Sequence, residues 1–107
     1  MDLHRLGEER SLAYHDWIAT RLAEDPRILD GARDRVRRWL ADGTVHVEYA
    51  RAWDGVLDLP LEALCAALVD RSERARALRQ ATPFAGAIDA RTRWRLWAGV
   101  RERTLPP

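Results

Sequence analysis

The side chains best suited to chemistry near neutral pH are His4, His15, His46, Cys65, Ser11 and Ser72. Nucleophilic catalysis needs a hydroxyl or thiol within reach of a base that a third group orients. Cys65 falls on the apolar stripe of its helix, and both serines stand where helix caps belong, so none of the three reads as a nucleophile. The histidines are scattered. Their one metal-like spacing is His46-Val47-Glu48, and a lone cysteine makes neither a zinc site by itself nor an internal disulfide. His15 falls on the inner stripe of the first helix, the place of a hydrogen-bonded core or interface histidine. Glycines at 7, 31, 43, 55, 86 and 99 form neither GxGxxG nor GxxxxGK[ST]. No carboxylate pair stands in an apolar setting that would split its pKa values for acid–base work. The reading is a non-enzymatic chain with no metal and no cofactor.

The elements that position these residues read as helices. Ser11 is placed to cap a first helix, Ser11 to Glu24, with Leu12, Ile18, Ala19 and Leu22 on one stripe and its end set by Pro26. Asp25 as N-cap and Pro26 at the first helical position open a second, whose apolar series Ile28, Leu29, Ala32, Val36, Trp39 and Leu40 runs to Gly43, a left-handed C-cap. Its other face, Asp30, Arg33, Asp34, Arg37 and Arg38, reads as solvated surface with pairs at spacings of three and four. Val45 to Tyr49 alternates briefly, but Tyr49, Ala50, Trp53, Val56 and Leu57 follow at helical spacing, so 46–58 is taken as helix. Pro60 opens the next, Ser72 caps a fifth, Pro83-Phe84-Ala85-Gly86 is the clearest loop, and Asp89 caps a sixth reaching about Arg103. The expectation is an all-α fold: one domain over 1–107, about six short helices in a compact array, with flexible ends at about 1–9 and 104–107.

Hydrophobic residues make up 47% and charged residues 33% of the 107, a globular composition in the size range of one domain. No apolar run is long enough to cross a membrane and the first nine residues hold no apolar leader, which points to the cytoplasm. All 18 basic residues are arginine, and Ala and Leu abound, the usage of a high-GC bacterial genome. The net +1 hides a polarity: residues 1–70 hold nine arginines and fourteen carboxylates, a net of −5, whereas 71–107 hold nine arginines and three carboxylates, a net of +6. That excess marks a basic face on the C-terminal third unless the two halves neutralise each other in the fold.

Binding rather than catalysis is therefore where the informative residues lie. Five tryptophans are many for this length, and Trp serves both cores and binding hot spots. Trp39 and Trp53 fall on core stripes. Trp17 flanks the first stripe, and Trp94 and Trp97 lie one turn apart among Arg91, Arg93, Arg95 and Arg101, so that one of them can face a partner. The partner-binding candidates are Arg74, Arg76 and Arg79 on the fifth helix, expected exposed, Arg91, Arg93 and Arg95 on the sixth, and Trp17. A second reading comes from Leu61–Arg79, which reads like a helix-turn-helix: apolar at Leu61, Leu64, Leu68, Ala75 and Leu78, capped by Ser72, with Glu73, Arg74 and Arg76 where base contacts would fall. Val69 stands where that turn usually has glycine. The alternative function is thus a DNA-binding transcriptional regulator.

Arg10-Ser11-Leu12-Ala13-Tyr14-His15, Asp25-Pro26, Arg38-Trp39-Leu40, Ala50-Arg51-Ala52-Trp53, Ser72-Glu73-Arg74-Ala75, Leu78-Arg79-Gln80, Thr82-Pro83-Phe84-Ala85-Gly86 and Arg93-Trp94-Arg95 give the chain a pattern that resembles short bacterial antitoxins of two-gene modules. Some of those are paired with nucleotidyltransferase-type toxins. The resemblance implies stoichiometric neutralisation of a cognate toxin, by burying its active-site mouth or blocking entry of its substrate. It assigns no individual functional residues.

Overall fold

In a computed structural model that describes residues 2–104, the chain forms α1 (Leu3–Arg21), α2 (Pro26–Asp42), α3 (Val47–Leu57), α4 (Leu61–Leu68), α5 (Glu73–Gln80) and α6 (Ala90–Thr104), with no strand among the described residues. The all-α array of six helices is as the periodicity implied. Local caps set most of the ends. The Asp25 carboxylate accepts from the Arg27 amide ahead of Pro26, Gly43 closes α2 at φ 71°, the Ser72 hydroxyl accepts from Ala75 N, and Asp89 accepts from Thr92 N at 2.8 Å. His46 caps α3 through its ring, Nδ1 accepting from Glu48 N at 3.2 Å.

The N-terminal end departs from expectation. Residues 3–9, expected to be loose, are the first two turns of α1; Asp2 is the cap, and Ser11 lies inside the helix rather than at its start. Tertiary charge pairing holds those turns: Glu9 meets Arg71 at 2.9 Å and Glu8 faces Arg76 at 3.7 Å. Of the C-terminal end, Thr104 closes α6, and Leu105, Pro106 and Pro107 lie outside the described residues.

Helix α1 packs against α4, α5 and α6, while α2 packs chiefly against α3. The two groups meet where α3 packs on α4 and α5 and around residues 82–88. Phe84 and Ile88 enter one core with Ile18 and Leu22 of α1, Ala32 and Val36 of α2, Trp53 and Leu57 of α3, and Leu64 and Leu68 of α4. Pro83, Phe84 and Ile88 of this loop are buried, although connecting loops usually run over the surface, so the backbone groups around them need internal partners. They have them: Tyr14 Oη donates to Phe84 O at 2.7 Å, Arg35 Nη1 donates to Ala85 O at 2.9 Å, and Phe84 N donates to Thr82 Oγ1 at 3.1 Å. Trp53, 2% exposed, donates its indole N–H to Leu78 O at 3.0 Å. Trp39, expected in the core, is only half-buried against its edge.

Candidate functional site

Of the side chains best suited to chemistry, His15, His46, Cys65 and Ser72 have structural tasks, whereas Ser11 engages only through its backbone carbonyl. Cys65 is half-buried, with Sγ 3.4 Å from Ala19 O, and burial pushes its thiol pKa up, away from the reactive thiolate. His4 pairs with Glu8 at 3.0 Å on the surface of α1. No group of three His, Cys, Asp or Glu side chains is arranged to hold a metal among the described residues.

His15 is 1% exposed and fully engaged. Nδ1 lies 2.7 Å from Ser11 O and Nε2 lies 2.8 Å from Thr82 Oγ1. The Ser11 carbonyl can only accept, which places the proton on Nδ1 and leaves Nε2 to accept from the Thr82 hydroxyl. That hydroxyl accepts in turn from Phe84 N, so one polar chain crosses from α1 into the 82–88 loop. The ring is stacked on Trp53 at 6.4 Å and lies edge-on to Phe84 at 6.2 Å. Burial, opposed by the Ser11 bond and reinforced by the charge of Arg79, lowers the His15 pKa to about 4. At neutral pH the ring is uncharged.

The candidate partner-binding residues separate into three environments. Arg79 corrects the expectation of an exposed fifth-helix triad: it is 5% exposed, and Nη1 donates to Asp70 O at 2.6 Å and Leu68 O at 3.3 Å. It satisfies carbonyls at the end of α4 that a helix leaves without partners. The turn after α4 consequently works without a left-handed residue, Val69 sitting at φ −113°. Arg76 leans on Glu8, so Glu73 and Arg74 are the charged residues α5 leaves exposed. The +6 excess of the C-terminal third is thus met in part by Glu8 and Glu9 of α1. Trp17 is half-buried, with the Arg21 guanidinium 4.8 Å over its ring.

On α6, side chains at spacings of three and four divide cleanly. Arg91, Trp94, Arg95 and Ala98 form the outward stripe, and Trp94 is 73% exposed. Leu96 and Val100 face inward, towards α1 and the core. Arg93 and Trp97 sit between these faces, with Trp94 and Trp97 edge-to-face at 6.4 Å.

Beside that junction lies a cleft of about 410 Å³, lined by α1 (Gly7, Arg10, Ser11, Tyr14, His15), by Arg79, Thr82, Ala85 and Gly86, and by Arg93 and Trp97. The guanidinium carbons of Arg10 and Arg93 lie 5.6 and 5.1 Å from the Trp97 ring centre. Arg93 stands out in the sequence as a binding candidate, whereas Arg10, Tyr14 and Thr82 do not; their available signal is the helical spacing of Gly7, Arg10, Ser11 and Tyr14, which puts two small and two functional residues on one face. No helix among the described residues is long and apolar enough to cross a membrane. No family model, curated protein sequence or solved structure matches this chain.

Proposed function

We propose that this chain is a non-enzymatic protein-binding module, an antitoxin that neutralises the product of a companion gene by direct complex formation, and that α6 carries the contact. The observation that carries the reading is the outward stripe of Arg91, Trp94 and Arg95. A tryptophan buries on the order of 150–250 Å². Covering the 73% of Trp94 left in solvent is accordingly worth roughly 3 to 4 kcal/mol at about 25 cal/mol per Å². Trp and Arg are the residue types that dominate interface hot spots, and the flanking guanidinia favour a partner surface bearing carboxylates. The DNA-binding alternative has less support. Its recognition helix would be α5, on which Arg79 is internal and Arg76 faces Glu8, so phosphate contacts would fall to Arg74 beside Glu73.

The test is calorimetric titration of this protein with the product of the adjoining reading frame, in parallel with its own promoter DNA across a salt series. A tight protein complex is expected, weakened about thirtyfold or more by Trp94→Ala, the loss of a hot spot worth about 2 kcal/mol or more. The double change Arg91→Glu with Arg95→Glu should slow association most at low salt. Failure of the companion product to bind overturns the antitoxin reading. Tight DNA binding with a steep salt dependence, abolished by Arg74→Glu, would establish the regulator instead.

A further inference from the structure

We propose that the cleft between α1, the 82–86 loop and α6 binds a small organic anion, with Arg10 and Arg93 holding a carboxylate or phosphate and the rings of Trp97 and Tyr14 covering a flat apolar body. The lining contains three arginines and no carboxylate. Nearby acids are already directed elsewhere: Glu8 towards His4 and Arg76, and Glu9 to Arg71. The positive charge at the cleft is therefore not neutralised by its own neighbours. Arg79 adds its charge to the cleft, while its Nη1 is committed to the Leu68 and Asp70 carbonyls.

Arg10 and Arg93 differ from Arg79 in what they lack. The Nε of each is buried and has no hydrogen-bond acceptor among the described residues. Each guanidinium thus has an inner edge without an acceptor, and an anion in the cleft would be held by the terminal Nη groups, the buried Nε atoms facing no solvent. Both guanidinia lie against Trp97, a ring that holds their planes while leaving their edges to pair. The volume, about 410 Å³, suits a two-ring body with one charged group, and the largely hydrocarbon and aromatic walls explain why a bare inorganic ion would use little of it. This site uses none of Arg91, Trp94 or Arg95, its Trp97 only meeting Trp94 edge-to-face beside the stripe, so it stands or falls apart from the protein-binding reading.

The experiment is a calorimetric titration of the full chain with 2-naphthyl phosphate, 2-naphthoate and neutral 2-naphthol. Saturable one-to-one binding of at least one anion is expected, with 2-naphthol weaker by about tenfold or more; the stronger of the two anions identifies the headgroup. Arg10→Gln and Arg93→Gln should each weaken it about tenfold or more, as loss of a charge-assisted hydrogen bond does, while Arg37→Gln on α2 leaves it unchanged. In nuclear magnetic resonance spectra of the wild-type chain, which need no variant to fold, the Trp97 indole N–H should shift on adding the anion and that of Trp39 should not. Binding of neither anion, equal binding of 2-naphthol, or shifts centred away from Trp97 overturns the proposal.

Discussion

Acidification should destabilise this protein through His15 before its carboxylates matter. The ring is buried and neutral, with a pKa of about 4 against 6.5 in the unfolded chain. Below pH 6.5 the unfolded state therefore takes up a proton that the folded state refuses. The unfolded state binds more protons in this window, so stability rises with pH across it and is fully present above 6.5. A tenfold difference in proton affinity between the two states corresponds to about 1.36 kcal/mol, giving roughly 3 kcal/mol lost once the pH has fallen to about 4, most of it already by pH 4.5. The helix-capping and turn carboxylates of Asp25, Asp42, Asp70 and Asp89 are all held below their ordinary 3.8 by hydrogen bonds, led by Arg27, Thr44, Ser72 and Thr92 respectively. Their contribution is lost only as pH falls through and below that value. Urea unfolding at pH 7, 6, 5.5, 5 and 4.5 isolates the histidine, with His15→Gln as the non-titrating reference. The wild-type midpoint should fall steadily below pH 6.5 with an unchanged denaturant slope, while the variant, less stable at pH 7, stays nearly level. Equal wild-type midpoints at pH 7 and 4.5, or a variant that falls in parallel, would refute the assignment of a buried neutral ring.

Three further outcomes are expected. Trp53→Ala should cost roughly 3 to 5 kcal/mol by urea unfolding, as a large core truncation that also frees the Leu78 carbonyl, and the half-buried Trp39→Ala clearly less. Arg79→Met should cost roughly 2 to 3 kcal/mol, because Leu68 O and Asp70 O lose a charged donor inside the fold; a melting temperature equal to wild type would mean that the guanidinium is dispensable there. Trp94→Ala should leave stability within about 0.5 kcal/mol of wild type, so that any binding defect it shows belongs to the interface.

What the amino-acid sequence made legible is what neighbouring residues decide among themselves. Asp25-Pro26, Gly43, Ser72 and Asp89 act within a turn of where they stand, so the helix ends they set could be read directly. The first two turns of α1 could not, because Gly7, Glu8 and Glu9 look like a polar end until Arg71 and Arg76, more than sixty positions on, supply their partners. Charge counting placed Arg79 outside, since nothing in its own helix shows that the carbonyls ending α4 would draw it in. Apolar spacing ranked Trp39 with Trp53, yet the difference between them is made by the 82–88 segment, whose Phe84 lies edge-on to Trp53. The cleft is least legible of all. Its lining comes from α1, α5, the loop and α6, and only Arg93 and Arg79 of its arginines stood out in the sequence.

The clasp formed by Tyr14 and His15 on Thr82 and Phe84 has a consequence for how the chain is made. Its partners are 70 and 67 positions apart, and the later ones lie in the last quarter of the sequence. During synthesis α1, α2 and α3 leave the ribosome with the faces of Tyr14, His15 and Trp53 uncovered. At about 5–20 residues per second, a few seconds pass between the completion of Leu57 and the arrival of Ile88. Over that interval the growing chain presents an aromatic surface that only its own unfinished segment, or a chaperone, can cover. A fragment ending at Ala81 should consequently aggregate even though it contains five of the six helices.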